Sequence, residues 1–214
     1  MAEQQAPTIL VVRHGETTYN KPPERFRSWL DIPLTEKGKA QAKSAAKHIA
    51  RRYSVREILA GDLQRTRDTA QIISKEAPCG FETTKGLRDW DVGVFKGKEV
   101  KPNLAKVNVY VTDTPTRPIP GGEAFTTFKS RLLRTLEAAQ IRAEQHPGKA
   151  VVLVTHNRDV RVLLATKFGQ DHKHDQDILD QKDDPIPPGG ILELTKRGET
   201  WVGKELEHNH QQTT

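Results

Sequence analysis

The chain has a single cysteine, Cys79, in 214 residues. No intrachain disulfide can form, and the composition fits a reducing cytoplasmic compartment. No apolar run approaches the ~20 residues that a bilayer-spanning helix needs, so no membrane span is expected. The opening MAEQQAPT lacks a basic start followed by an apolar core, so no signal peptide is expected either. Aromatic residues make up only 6% of the chain, and none alternate with basic residues in a stripe suited to stacking bases. The net charge of +6 is scattered instead. Lys37, Lys39, Lys43 and Lys47 read as one solvated helix face, so nucleic acid is not an expected partner. Linkers, repeats and low-complexity blocks are absent, and the length suits one domain over residues 1–214.

Apolar runs that end in histidine are what the chain does have. Ile9, Leu10, Val11 and Val12 show no polar alternation, the pattern of a strand covered on both faces, and Arg13, His14 and Gly15 follow at once. Val151 to Val154 repeat the theme before Thr155, His156 and Asn157. Between them, Thr35 is a good N-cap for a helix that buries Ala42, Ala45, Ala46, Ile49 and Tyr53. Glu57 to Gly61 read as a strand, and residues 63–76 as a helix with Leu63, Thr66, Ala70 and Ile73 inward. Residues 97–120 read as irregular and Pro-rich. A long helix is expected from about Glu123 to Gln145, another over 158–169, and a hairpin turning near Arg197 to Glu199. Strands alternating with helices predict an α/β fold with a mainly parallel sheet. In such sheets ligands bind at the carboxyl ends of the strands. Two histidines delivered to strand ends, one flanked by arginine and glycine, favour a site over two isolated structural histidines.

The blocks RHGETTYN, WLDIPLTEKGKAQA, DLQRTRDTA, LRDWDVG, PIPGGEAF and VVLVTHNRDVRVLL occur in this order, and the resemblance they carry extends from Ile9 to about Trp201. Together they make the chain resemble the histidine phosphatase superfamily, the phosphoglycerate-mutase-like proteins. The resemblance implies a three-layer αβα sandwich and a nucleophilic histidine that becomes phosphorylated, matched by His14. It implies phosphate-binding arginines at Arg13 and Arg65 and a second histidine at His156. Arg67 is a competitor for Arg65, but two residues along a helix points elsewhere. The resemblance also puts Asp89 in the proton donor's place, one methylene shorter than the usual glutamate, with Asp91 as runner-up. Gly15, Asn20, Arg27, Ser28 and Asn157 are the expected substrate-binding residues. For Asn20 a turn role before Pro22 and Pro23 stays open. Gly61 stands where the family often has serine, and Asn157 where it has glycine.

Arginine suits this chemistry because its planar fork stays charged and meets two phosphate oxygens at once. Arginines beside a histidine also disfavour the charged imidazole and so keep a nucleophile available. A backbone carbonyl accepting from the second ring nitrogen would fix the tautomer. The expected activity is metal-independent hydrolysis of a small phosphomonoester through phospho-His14, with no cofactor. Alternatives are a phosphoglycerate mutase and a weakly active binding module on the same scaffold. Residues 98–120 are expected as a short insert near the site, residues 203–214 as a polar tail, and a homodimer stays open. The histidine pairs at 172/174 and 208/210 lack supporting metal ligands and read as solvated.

Overall fold

In the computed structural model, residues 6–168 and 186–206 are described. Six strands form one sheet: β1 (Thr8–Arg13), β2 (Ser54–Gly61), β3 (Phe81–Thr84), β4 (Lys149–Thr155), β5 (Ile191–Arg197) and β6 (Thr200–Leu206). Their spatial order is β3-β2-β4-β1-β5-β6. The first four run parallel, and β5 and β6 close one edge as an antiparallel hairpin. Five helices accompany them: α1 (Glu36–Arg52), α2 (Gln64–Glu76), α3 (Leu104–Thr112), α4 (Phe125–Gln145) and α5 (Asn157–Leu163).

Strand β1 shows why both faces must be covered. Ile9 and Val11 point into one apolar cluster with Phe128, Leu132 and Leu136 of α4. Leu10 and Val12 point into another with Ala45, Ala46 and Ile49 of α1 and Ile73 of α2. All four strand residues are wholly buried, each side chain worth about 1.5–3 kcal/mol. The result is the expected sandwich of three layers. The chain leaves β1 through α1 on one face and leaves β4 through α5 on the other. Neighbouring strands whose connections diverge in this way open a crevice at their carboxyl ends.

The helix at Thr35 forms as expected, with the Thr35 hydroxyl accepting from Gly38 N–H at 3.0 Å. Four expectations need correction. Residues 97–120 are not wholly irregular: α3 forms there, with Val107 and Val111 buried one turn apart. Its valines disguised a helical period as β-propensity. Strand β2 begins at Ser54 rather than Glu57, because its first turn of pairing is largely exposed and interrupted by a bulge between Val55 and Glu57. The polar tail cannot start at 203, because residues 203–206 pair within β6. The long helix starts at Phe125, two residues late, and Glu123 is used elsewhere.

The turn after β1 rests directly on the first turn of α1. A Cβ on Gly15 would collide with the Gly38 carbonyl, and one on Gly38 with the Glu16 carbonyl. Gly38→Ala should therefore cost about 1–3 kcal/mol, the range for forced overpacking. A urea midpoint equal to that of the parent chain would contradict the contact.

Candidate active site

The register of β1 against β4 pairs Arg13 with Thr155, and His14 N–H donates to Thr155 O at 3.0 Å. His14 and His156 therefore leave the sheet side by side. Their ring centroids lie 5.2 Å apart at an interplanar angle of 64°. Both are buried.

The two rings present opposite chemistry. His14 Nδ1 lies 2.7 Å from the Gly15 carbonyl. A carbonyl only accepts, so Nδ1 carries the proton and Nε2 keeps its lone pair. Arg65 Nε lies 3.3 Å from His156 Nδ1. A guanidinium only donates, so His156 Nδ1 accepts and its Nε2 carries the proton. That buried Nε2–H has no partner among the described residues. Both imidazoles are held neutral. Burial, then the charges of Arg65 and Arg27, push His14 well below the ordinary histidine range, and Arg13 adds to this. Burial and Arg65 do the same for His156.

Arg65 projects from the first turn of α2 and is fully buried. Its Nη1 donates to Leu30 O at 2.8 Å and its Nη2 to Ser28 O at 2.7 Å, which leaves one N–H on each nitrogen. Burial pulls it down to about 10, still a cation at neutral pH. Arg13 is anchored through Nη1 to Ile186 O at 2.8 Å. Arg67 turns outward to Asp62 O and is 45% exposed, so it leaves the site to Arg65.

Asp89 Oδ1 accepts from Trp90 N–H at 2.8 Å and lies 3.5 Å from Arg158 Nη1. Its backbone carbonyl is clamped by Trp29 Nε1 at 2.8 Å and Arg131 Nη2 at 2.9 Å. Asp91 instead accepts from Gly93 N–H at 3.0 Å and pairs with Lys96 at 2.9 Å, which makes it the holder of its own turn.

Among the expected substrate-binding residues, Gly15 lies buried beside the rings and Asn157 opens α5 directly after His156. Arg27 has Nη2 3.3 Å from Glu24, while its Nη1 is buried without a partner among the described residues. Two of the side chains are engaged within the protein. The Ser28 hydroxyl donates to Trp90 O at 2.9 Å and accepts from Val92 N–H at 3.0 Å. It ties the 24–30 loop to the Asp89 turn, at a backbone φ of 45°. The Asn20 side-chain oxygen accepts from Thr17 N–H and Oγ, both at 2.9 Å, so only its NH2 is left for a ligand. Gly61 has its own reason: a Cβ there would meet Leu87 O at 2.7 Å.

Three residues escaped the sequence reading. Arg131 on α4 donates to the carbonyls of Lys85, Gly86, Arg88 and Asp89 and pairs with Glu123 at 2.6 Å. Nothing in the helical stretch KSRLL marks such a clamp. Arg158 covers Asp89. Asp159 is wholly buried on the first turn of α5, where Thr155 and its own backbone are the hydrogen-bonding groups that oppose the raised proton affinity. An aspartate three residues after the second strand-end histidine was the available signal for it. Burial, then the charge of Asp89, raises Asp159 well above the usual carboxylate range. Among the described residues no group of three or more His, Cys, Asp or Glu is arranged to hold a metal ion. No helix among them is long and apolar enough to cross a membrane.

The profile of the histidine phosphatase superfamily (branch 1) matches residues 9–206, and the chain belongs to that family. A relative in Cronobacter sakazakii, "Probable phosphoglycerate mutase GpmB", is 31% identical over 165 residues, covering 75% of this chain and 74% of its own. A phosphoglycerate mutase from Thermus thermophilus superposes with a TM-score of 0.67 at 25% identity, covering 94% of this chain and 99% of its own. A mycobacterial glucosyl-3-phosphoglycerate phosphatase superposes with a TM-score of 0.73 at 22% identity, covering 96% and 99%. Relatives of this family are thus both phosphatases and mutases by name.

Asp159 gives a pH test. Its folded-state affinity for a proton exceeds that of the unfolded chain, so its stabilising share is present at low pH and is lost as pH rises through the raised value. Asp159→Asn should raise the denaturation midpoint at pH 8 and have a smaller effect at pH 4. An equal shift at both pH values would contradict a buried carboxyl that resists ionisation.

Proposed function

We propose that the protein hydrolyses small phosphomonoesters through a phosphoryl group carried on His14. The observation that supports this best is the pair of buried histidines: one lone pair and one unpartnered N–H share a pocket walled by arginines. A phosphoryl group needs that combination, a nucleophile for phosphorus and donors for its oxygens. His14 Nε2 attacks phosphorus in line with the leaving oxygen. The P–O bond breaks, and the carboxyl of Asp89 delivers a proton to the leaving alcohol. Water then attacks phospho-His14 while the Asp89 carboxylate takes its proton. The P–N bond breaks, phosphate leaves and neutral His14 returns. Arg13, Arg65, Arg27 and His156 Nε2–H meet the equatorial oxygens, helped by the Gly15 turn, the Asn20 NH2 and the Asn157 backbone N–H. These charges do the neutralising, so the reaction is proposed to need no metal ion or cofactor, and the working place is the cytoplasm.

A mutase is the second reading, favoured by the name of the Cronobacter relative. It would use the same residues and hand the phosphoryl group to a second hydroxyl instead of water. A mutase must exclude water. The stretch from Lys98 to Pro120, with the short helix α3, is a small cover for that task, which supports hydrolysis.

The test is phosphate release from p-nitrophenyl phosphate and a panel of alkyl monoesters, with and without EDTA. Activity should survive the chelator and fall to background in His14→Ala. Near-parental rates in that variant remove His14 as nucleophile. Asp89→Asn should slow alkyl esters by about 10²–10⁴-fold, the usual worth of a general acid. It should slow p-nitrophenyl phosphate less, since that leaving group needs no proton. Equal losses on both would assign proton donation elsewhere.

A further inference from the structure

Arg158 follows His156 by two residues. It reaches back over the rings of Trp90 and Phe26, at 5.5 and 5.9 Å from their centroids, and ends 3.5 Å from Asp89 Oδ1. Its side chain is only 14% exposed. The same Asp89 oxygen accepts from the Trp90 amide. Asp89 is thus met by donors, the surroundings of an ionised carboxylate, which only accepts. That form suits the second step, in which Asp89 takes a proton from water. It does not suit the first, in which Asp89 must give one. The other charges around it do not resolve the mismatch. Asp159 stands by as a buried acid, and Arg65 and Arg131 add positive charge.

An arginine leaves one anion readily only for another. Beyond the transferring phosphoryl group, what lies at Asp89 is the leaving alcohol. Arg27 supplies a second donor to the same pocket: its Nη1 is buried and unpartnered, and its charge bears on both histidines. A buried donor of this kind calls for an acceptor.

We propose that Arg158 is a specificity-determining residue: it exchanges Asp89 for a second anionic group on the leaving alcohol, a carboxylate or a phosphate, and so frees Asp89 to act as the acid. Freed, Asp89 takes a proton from bulk water and passes it to the leaving oxygen as the P–O bond breaks. Hydrolysis of the phosphoenzyme restores the ion pair. The preferred substrates are monoesters whose alcohol carries its own negative charge. This assignment rests on the phosphatase reading.

Matched esters test it. 3-Phosphoglycerate and glycerol 3-phosphate share three carbons and differ in the carboxylate. Fructose 1,6-bisphosphate and fructose 6-phosphate differ in a phosphate, which separates the two kinds of anion. The parent chain should show at least about tenfold higher kcat/KM for the charged member of one pair, the low end for a charge-assisted contact. Arg158→Ala should erase the preference, and Arg158→Lys should restore part of it. Equal kcat/KM within both pairs, or a preference untouched in Arg158→Ala, overturns the proposal while leaving the phosphatase standing. If no ester is hydrolysed, the phosphatase reading fails separately, and calorimetry then decides: equal binding of both members of each pair to the parent chain overturns the role of Arg158, and tighter binding of a charged member that Arg158→Ala abolishes upholds it.

Discussion

The parallel register of β1 on β4 is the constraint on which the site depends. It sets Arg13 opposite Thr155, so His14 and His156 emerge at one level from adjacent strands. A slip of one residue would send His14 to the other face of the sheet. The alternating burial of Ile9 to Val12 against α1 on one side and α4 on the other makes that slip costly, since it would exchange two filled cores. Hydrophobic packing far from the chemistry therefore fixes where the two rings stand.

What the packing delivers is electrostatically unfavourable. Two arginines and two imidazoles are almost completely buried within one crevice. Neutral imidazoles are the response to that crowding, and the tautomers follow from one carbonyl and one guanidinium. The surrounding backbone shares the task. Ser28 adopts a left-handed φ to link two loops, and its carbonyl and that of Leu30 hold Arg65. Arg131 gathers four carbonyls of the Asp89 turn and neutralises Glu123. Strain and buried charge of this sort persist where the rest of the fold over-determines them.

Much of this was legible in the residues. Uninterrupted apolar runs announced buried parallel strands, and the histidines after them announced strand-end chemistry. The Thr35 cap and the alanine stripe of α1 were equally plain. What stayed hidden had physical reasons. Helix α3 is short, flanked by Pro102 and Pro115, and rich in valine, so local propensity spoke against the helix that tertiary packing of Val107 and Val111 selects. Ser28 and Asn20 are polar residues in a promising loop, and only the fold shows that the Ser28 hydroxyl and the Asn20 side-chain oxygen are committed to the backbone and to Thr17. Arg131 and Arg158 act across long sequence separations, on the turn at Asp89, which no local pattern reveals.

The central claim is that His14 and His156 are both neutral and carry their protons on opposite nitrogens. Imidazole ¹⁵N NMR at neutral pH, assigned with His14→Gln and His156→Gln, reads this directly. His14 should appear as the Nδ1–H tautomer with a bare Nε2, and His156 as the Nε2–H tautomer with Nδ1 accepting. An imidazolium at either position, or a proton on His14 Nε2, would contradict the account.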